Sequence, residues 1–212
     1  AELIERKRQG SLKVYLGYAA GVGKTYAMLQ EGLRLKQQHV DVVIGYLEPH
    51  DRPETMALAE HLETVPPREW RVGDAVFHEM DVEAILARKP QVVLVDELAH
   101  TNADGSKNDK RYSDVLEVLA QGINVISTIN VQHLESVAAR VEEATGIAVR
   151  ERIPDTVLRR ADQVVNVDVT KEELRERLRQ GKIYAPQQAE RALSSFFTYE
   201  NLSFLRELCL RE

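Results

Sequence analysis

The chain has 212 residues, 43% of them hydrophobic, which is enough apolar material for one large core and excludes wholesale disorder. A formal net charge of −6 runs against a nucleic-acid binder, which carries a basic face. A single cysteine, Cys209, excludes an internal disulfide and any multi-cysteine zinc site, and fits a reducing compartment.

In chain order, the charged start "AELIERKRQG" has no apolar signal region. The first strand is predicted at Leu12–Gly17, followed by the glycine-rich "YAAGVGKT" and a helix over "KTYAMLQEGLRLKQQ". Further strands are predicted at Asp41–Leu47, Ala75–Glu79, Gln91–Asp96, Asn124–Asn130 and Gln163–Val169. Near-continuous apolar runs such as "VVIGYL" and "VVLVD" suit strands buried on both faces. Helices are predicted where Tyr112, Val115, Leu116 and Leu119, and then Leu134, Val137, Ala138 and Val141, recur at helical spacing. Thr170 with Glu173 forms a capping box for a helix carrying Leu174 and Leu178. This alternation predicts an α/β fold, a mostly parallel sheet with helices on both faces, over residues 1–180. The segment 181–212 reads as a helical extension, interrupted by Pro186, that leads toward a downstream domain. Leu202, Leu205, Leu208 and Cys209 share one face of its last helix. No run approaches the ~18 apolar residues of a membrane span. The polar segment His100–Arg111 is unusually long for a connection.

The chemistry concentrates at the first strand–loop–helix. Glycines let backbone N–H groups turn toward an anion, and the helix N-terminus adds free N–H groups and a favourable dipole. In that setting Gly21, Val22, Gly23, Lys24, Thr25 and Tyr26 are the predicted nucleotide-binding residues, Lys24 reaching the β/γ-phosphates and Thr25 holding Mg²⁺. One feature departs from the usual phosphate loop: counting back from Lys24, the first glycine belongs at position 18, but that place holds Tyr18 and the glycine is Gly17. Asp96, at the end of a second apolar strand, is the predicted Mg²⁺ partner, and Glu97 the residue that would polarise a water. Thr128 is a third-strand residue placed to meet the γ-phosphate, while Asn130 reads as the N-cap of the following helix. Lys107, Lys110 and Arg111 read as solvated loop charges or as phosphate contacts. Glu48, His50 and Arg52 read as crevice residues or as a turn closed by Pro49 and Pro53. The six histidines make no metal motif, so no zinc is expected.

The segments "AGVGKTYAML", "GYLEPHDRPET", "VLVDELAHTN", "GSKNDKRYSDV", "INVISTINVQHLES" and "IPDTVLRRADQVVNVDVT" resemble the N-terminal cytoplasmic domain of the KdpD sensor histidine kinases, nearly over the whole chain. The resemblance implies a P-loop NTPase-like fold with ATP and Mg²⁺ as cofactors. It also implies a regulatory role in potassium and osmotic-stress signalling and a homodimeric parent in the inner membrane. That parent carries downstream domains and a cognate response regulator, while this cytoplasmic domain lacks a kinase core of its own. The family shares the shifted glycine; Asp104 stands where members often have proline after "HTNA". A glycine loop with "GKT" and an acidic strand end also occurs in thymidine-kinase-like enzymes, so a free-standing nucleotide or nucleoside kinase is the alternative. Those enzymes commonly carry a cysteine-rich zinc element, and this chain has one cysteine. Whether bound ATP is hydrolysed is a separate question from whether it binds.

Overall fold

The computed structural model describes residues 9–48, 52–180, 198, 200–204 and 206. Six strands form one all-parallel sheet: β1 (Leu12–Gly17), β2 (Val42–Tyr46), β3 (Glu63–Thr64), β6 (Val92–Val95), β7 (Asn124–Asn130) and β8 (Gln163–Asn166), in the order β3-β2-β6-β7-β1-β8. The remaining two strands, β4 (Arg68–Val72) and β5 (Ala75–Glu79), pair with each other as a separate antiparallel ribbon. The helices are α1 (Lys24–Gln37), α2 (Pro53–Ala59), α3 (Val82–Arg88), α4 (Arg111–Ala120), α5 (Glu135–Thr145), α6 (Asp155–Arg159) and α7 (Lys171–Arg179).

Alternate residues of each central strand feed opposite faces, as the pleat dictates. Val14 and Leu16 of β1, Val93 and Val95 of β6, and Val125 and Ile129 of β7 pack with α3, α4, α5 and α7, through Ile85, Val115, Val118, Val137, Leu174 and Leu178. Tyr15, Leu94, Ile126 and Ile44 pack on the other face with Met28 and Leu29 of α1 and Ala59 of α2. Both faces are therefore covered, which is why β6 is apolar without alternation and why the middle of β7 is buried on both sides.

The predicted boundaries of β1, β5 and β7 match those observed, and β2, β6 and β8 are shorter than predicted. Ala75–Glu79 does not join the parallel sheet. Its partner is β4, the ribbon is largely exposed, and its Trp70 Nε1 donates to the Asp104 carbonyl at 2.8 Å. Position 104 thus uses its backbone carbonyl to tie the ribbon to the long loop. Most of the predicted tail, including Leu205, Leu208 and Cys209, lies outside the described residues, as do Pro49 and His50. Residues 200–204 form a helical turn, Leu202 is fully buried, and Arg206 bonds Asp168. Among the described residues no helix is long and apolar enough to cross a membrane.

Candidate functional site

The parallel order sets the site. Loop strand β1 and acidic strand β6 are not neighbours; β7 lies between them. The C-terminal ends of all three strands open on one sheet edge, where ligands of open parallel sheets bind.

At this edge the loop after β1 passes close to its own helix. A Cβ on Gly17 would stand 2.6 Å from Val22 Cγ2 and 2.7 Å from Lys24 Cδ, so only glycine lets the loop fold back over the lysine stem. The tight passage that Gly17 allows removes the need for glycine at 18. Tyr18 instead turns into the core, fully buried, and its hydroxyl donates to the Val169 carbonyl at 2.9 Å. Burial, with the charge of Asp168 next in importance, pushes this phenol up to about 12. Tyr18→Phe, which orphans the Val169 carbonyl, is expected to lower stability by about 1 kcal/mol. In thermal unfolding of a chain this size that is a ~3 °C fall in Tm; an unchanged Tm would show that the hydroxyl bond is replaced by water.

Gly21 and Gly23 adopt φ of 85° and 101°, the left-handed region that glycine enters without steric cost. Gly23 is the N-cap of α1 and offers no side-chain cap, and the first turn of α1 carries no acidic residue. The helix start thus presents N–H groups and a positive dipole end to the loop concavity, uncompensated by side chains. Lys24 Nζ donates to the Ala19 carbonyl at 3.2 Å, holding its charge over the loop.

The second half of the site is a buried triangle of oxygens. The Thr25 hydroxyl contacts both Asp96 oxygens, at 3.1 and 3.2 Å. The Thr128 hydroxyl donates to Asp96 Oδ1 at 2.6 Å and accepts the Glu97 N–H at 2.9 Å. Asp96 is 1% exposed and also accepts the Glu48 N–H at 3.3 Å. Thr128 therefore reaches the site through Asp96, which it orients, and through the backbone of Glu97. Thr25 Oγ1 and the Asp96 carboxylate are hard oxygen donors of the kind that suits Mg²⁺ completed by phosphate oxygens and water. Asn130 takes the N-cap position of a 3₁₀ turn, Val131–His133, but makes no side-chain cap bond, so the predicted capping bond is absent.

Glu97 sits beside this triangle with φ of 53°, a conformation strained for a side chain of its size. Burial first, then the charges of Glu48 and Asp96, push its carboxyl up to about 7. Glu48 is raised by burial as well. Its positive φ and raised carboxyl, among the neighbouring carboxylates Glu48 and Asp96, set Glu97 apart from an ordinary surface carboxylate. Because the folded-state carboxyl binds its proton more tightly than the unfolded one, its contribution to stability is full below the ordinary carboxylate range. It is lost as pH rises toward 7. Glu97→Gln should therefore match wild type at pH 4.5 without Mg²⁺ and exceed it by roughly 2–3 kcal/mol at pH 8. Urea titrations at the two pH values read this difference; an equal offset at both would place Glu97 in ordinary solvent.

The residue that sequence reasoning missed is Arg111. It is neither a solvated loop charge nor a phosphate contact: it is fully buried behind the acidic strand. Its Nη1 donates to the Asp96 carbonyl at 3.0 Å, its guanidinium lies 3.8 Å over the Tyr46 ring, and Nη2 is 3.5 Å from Glu79. Burial alone would raise Glu79, but His100, at 3.0 Å, and the Ala103 N–H outweigh it and hold the carboxyl low. A continuous chain of contacts thus runs from Asp96 through Arg111 and Glu79 to His100 and the long loop. The loop itself closes on a Thr101–Lys110 bridge, with Lys110 Nζ on the Ala99 carbonyl and Lys107 paired to Glu117.

The order of strands, the glycine loop and the acidic strand end define an α/β protein of the P-loop-like class. The family of osmosensitive K⁺ channel His kinase sensor domains, KdpD, matches residues 8–212, and the chain belongs to it. It is 56% identical over 205 residues to a KdpD-type sensor of Synechocystis sp., covering 97% of this chain and 55% of that protein. It is 53% identical to the sensor protein KdpD of Mycobacterium tuberculosis, and 49% identical to that of Escherichia coli. In each case 96% of this chain is covered, but only 24% and 23% of those proteins. The chain thus spans about half of one relative and about a quarter of the others.

Proposed function

We propose that this domain binds ATP with Mg²⁺ and acts as the regulatory, sensing part of a potassium- and osmotic-stress-responsive sensor histidine kinase. The observation that carries the reading is the pairing of a glycine-made anion cradle with the Thr25–Asp96 oxygen pair. Gly21, Val22, Gly23 and Lys24 would surround the phosphates and Tyr26 would border the nucleotide beyond them, while Thr25 and Asp96 would hold Mg²⁺. ATP brings the phosphoryl group and the metal its charge neutralisation; the chain's residues orient and shield them.

In this reading the domain is a switch whose nucleotide state reaches the long loop through Arg111, Glu79 and His100. To alter signalling, nucleotide must bind the parent's kinase and phosphatase states with different affinity. The remaining domains, a response regulator and a partner protomer belong to the parent, which lies in the inner membrane and exposes this domain to the cytoplasm. The test is made in the full-length parent: Lys24→Ala is expected to shift the ratio of autophosphorylation to response-regulator dephosphorylation severalfold. An unchanged ratio would overturn the regulatory role.

A further inference from the structure

A phosphate loop accounts for only the phosphate end of a nucleotide. Beside the loop opens a cleft of about 600 Å³ lined by Gly21, Val22 and Gly23, by α1, by Arg52 and Glu54 at the start of α2, and by α7. Its volume is that of a small-molecule site. One wall is Tyr26, whose ring is 38% exposed immediately after the phosphate-contacting residues. The opposite wall is α7, held in place by fully buried Leu174 and Leu178 and by the Thr170 hydroxyl accepting the Glu173 N–H at 3.1 Å. From α7, Arg177 reaches across 156 positions of sequence to donate to the Gly21 carbonyl at 3.1 Å, and it also pairs with Glu173. Gln30 and Gln180 line the cleft with amides.

The charges decide what enters. The carboxylates Glu54, Glu173 and Glu176 outnumber the cations Arg52 and Arg177, so the cleft has no excess positive charge for further phosphate and suits the neutral half of the ligand. An aromatic ring and a guanidinium lining one cleft are the two kinds of group on which a base stacks, and the two amides offer both donors and acceptors to its edge.

We infer that the nucleoside half of the ligand, base and ribose, lies in this cleft between Tyr26 and Arg177, so that α7 is a wall of the nucleotide site. This rests on the loop holding phosphates, and it makes α7 the element that distinguishes a nucleotide from a bare polyphosphate.

The experiment is calorimetric titration of the chain with Mg·ATP and, separately, Mg·tripolyphosphate. Tyr26→Ala removes one stacking face, and Arg177→Lys keeps a donor for the Gly21 carbonyl while removing the planar face. Each is expected to weaken ATP about tenfold, equivalent to about 1.4 kcal/mol, and to leave tripolyphosphate within about twofold. Wild type should prefer ATP over tripolyphosphate by at least that factor. Equal losses for both ligands, or no loss for ATP, would overturn the cleft as the nucleoside site. Failure of both ligands to bind wild type would instead overturn the phosphate loop beneath it. Tyr26 is exposed, so its variant keeps the test open should Arg177→Lys disturb folding.

Discussion

Arg111→Met is expected to cost about 3–5 kcal/mol of stability, which in a chain of this size is a fall of roughly 10 °C in Tm. The guanidinium is fully buried, so its loss is not softened by solvent. Three partners are left behind together: the Asp96 carbonyl without its donor, the Tyr46 ring without the cation 3.8 Å above it, and the buried Glu79 carboxylate without its 3.5 Å counter-charge. Glu79 keeps His100 and the Ala103 N–H, so the cost is shared between a buried carboxylate that has lost one of its partners and the orphaned Asp96 carbonyl. Arg111→Lys should recover only part of it, because an ammonium neither stacks on Tyr46 nor spans Asp96 and Glu79 at once. Urea unfolding of the three proteins checks the ranking. A loss below about 1 kcal/mol for Met would mean that the buried pair is held at no net gain, and the contact chain toward His100 would lose its anchor.

The second large effect concerns the ligand. Lys24→Ala is expected to weaken Mg·ATP by about a hundredfold, close to 2.7 kcal/mol, which matches a lost charge-assisted bond to phosphate. Thr25→Ala should lose a comparable amount with Mg²⁺ present, since in the proposed site Thr25 Oγ1 would be a metal ligand beside the Asp96 carboxylate. Without Mg²⁺ it should lose little. Asp96 keeps the Thr128 hydroxyl and the Glu48 N–H when Thr25 is shortened, and α1 rests on Met28 and Leu29. The variants are therefore expected to fold.

How far these features could be seen in advance depends on how local they are. The glycine loop, Lys24 and Thr25 are contiguous, so the strand–loop–helix that carries them is legible in one short stretch. β1 and β7 are legible because both are almost wholly buried and carry β-favouring residues such as Val14, Tyr15, Val125, Ile126 and Ile129. The ribbon strand Arg68–Val72 is not, since exposed on both sides it has neither alternation nor an apolar run. The role of Tyr18 was hidden because its partner, the Val169 carbonyl, lies 151 positions away. Arg111 looked solvated because it sits at the end of a polar loop. Only the folding of Tyr46, Glu79 and Asp96 around it, from three separate strand ends, makes it a core residue. Arg177 and the Gly21 carbonyl it holds are likewise brought together by the fold alone.

The central claim is that the Gly21–Thr25 loop holds a nucleotide's phosphates, and a parallel thermal unfolding of wild type and Lys24→Ala with saturating Mg·ATP tests it most directly. With ATP at one hundred times the wild-type dissociation constant, wild type should gain about 2.7 kcal/mol, or about 8 °C. Lys24→Ala, with its affinity a hundredfold weaker, should gain about 0.4 kcal/mol at the same concentration, or ~1 °C. Equal shifts for the two proteins, or none for wild type, would contradict it.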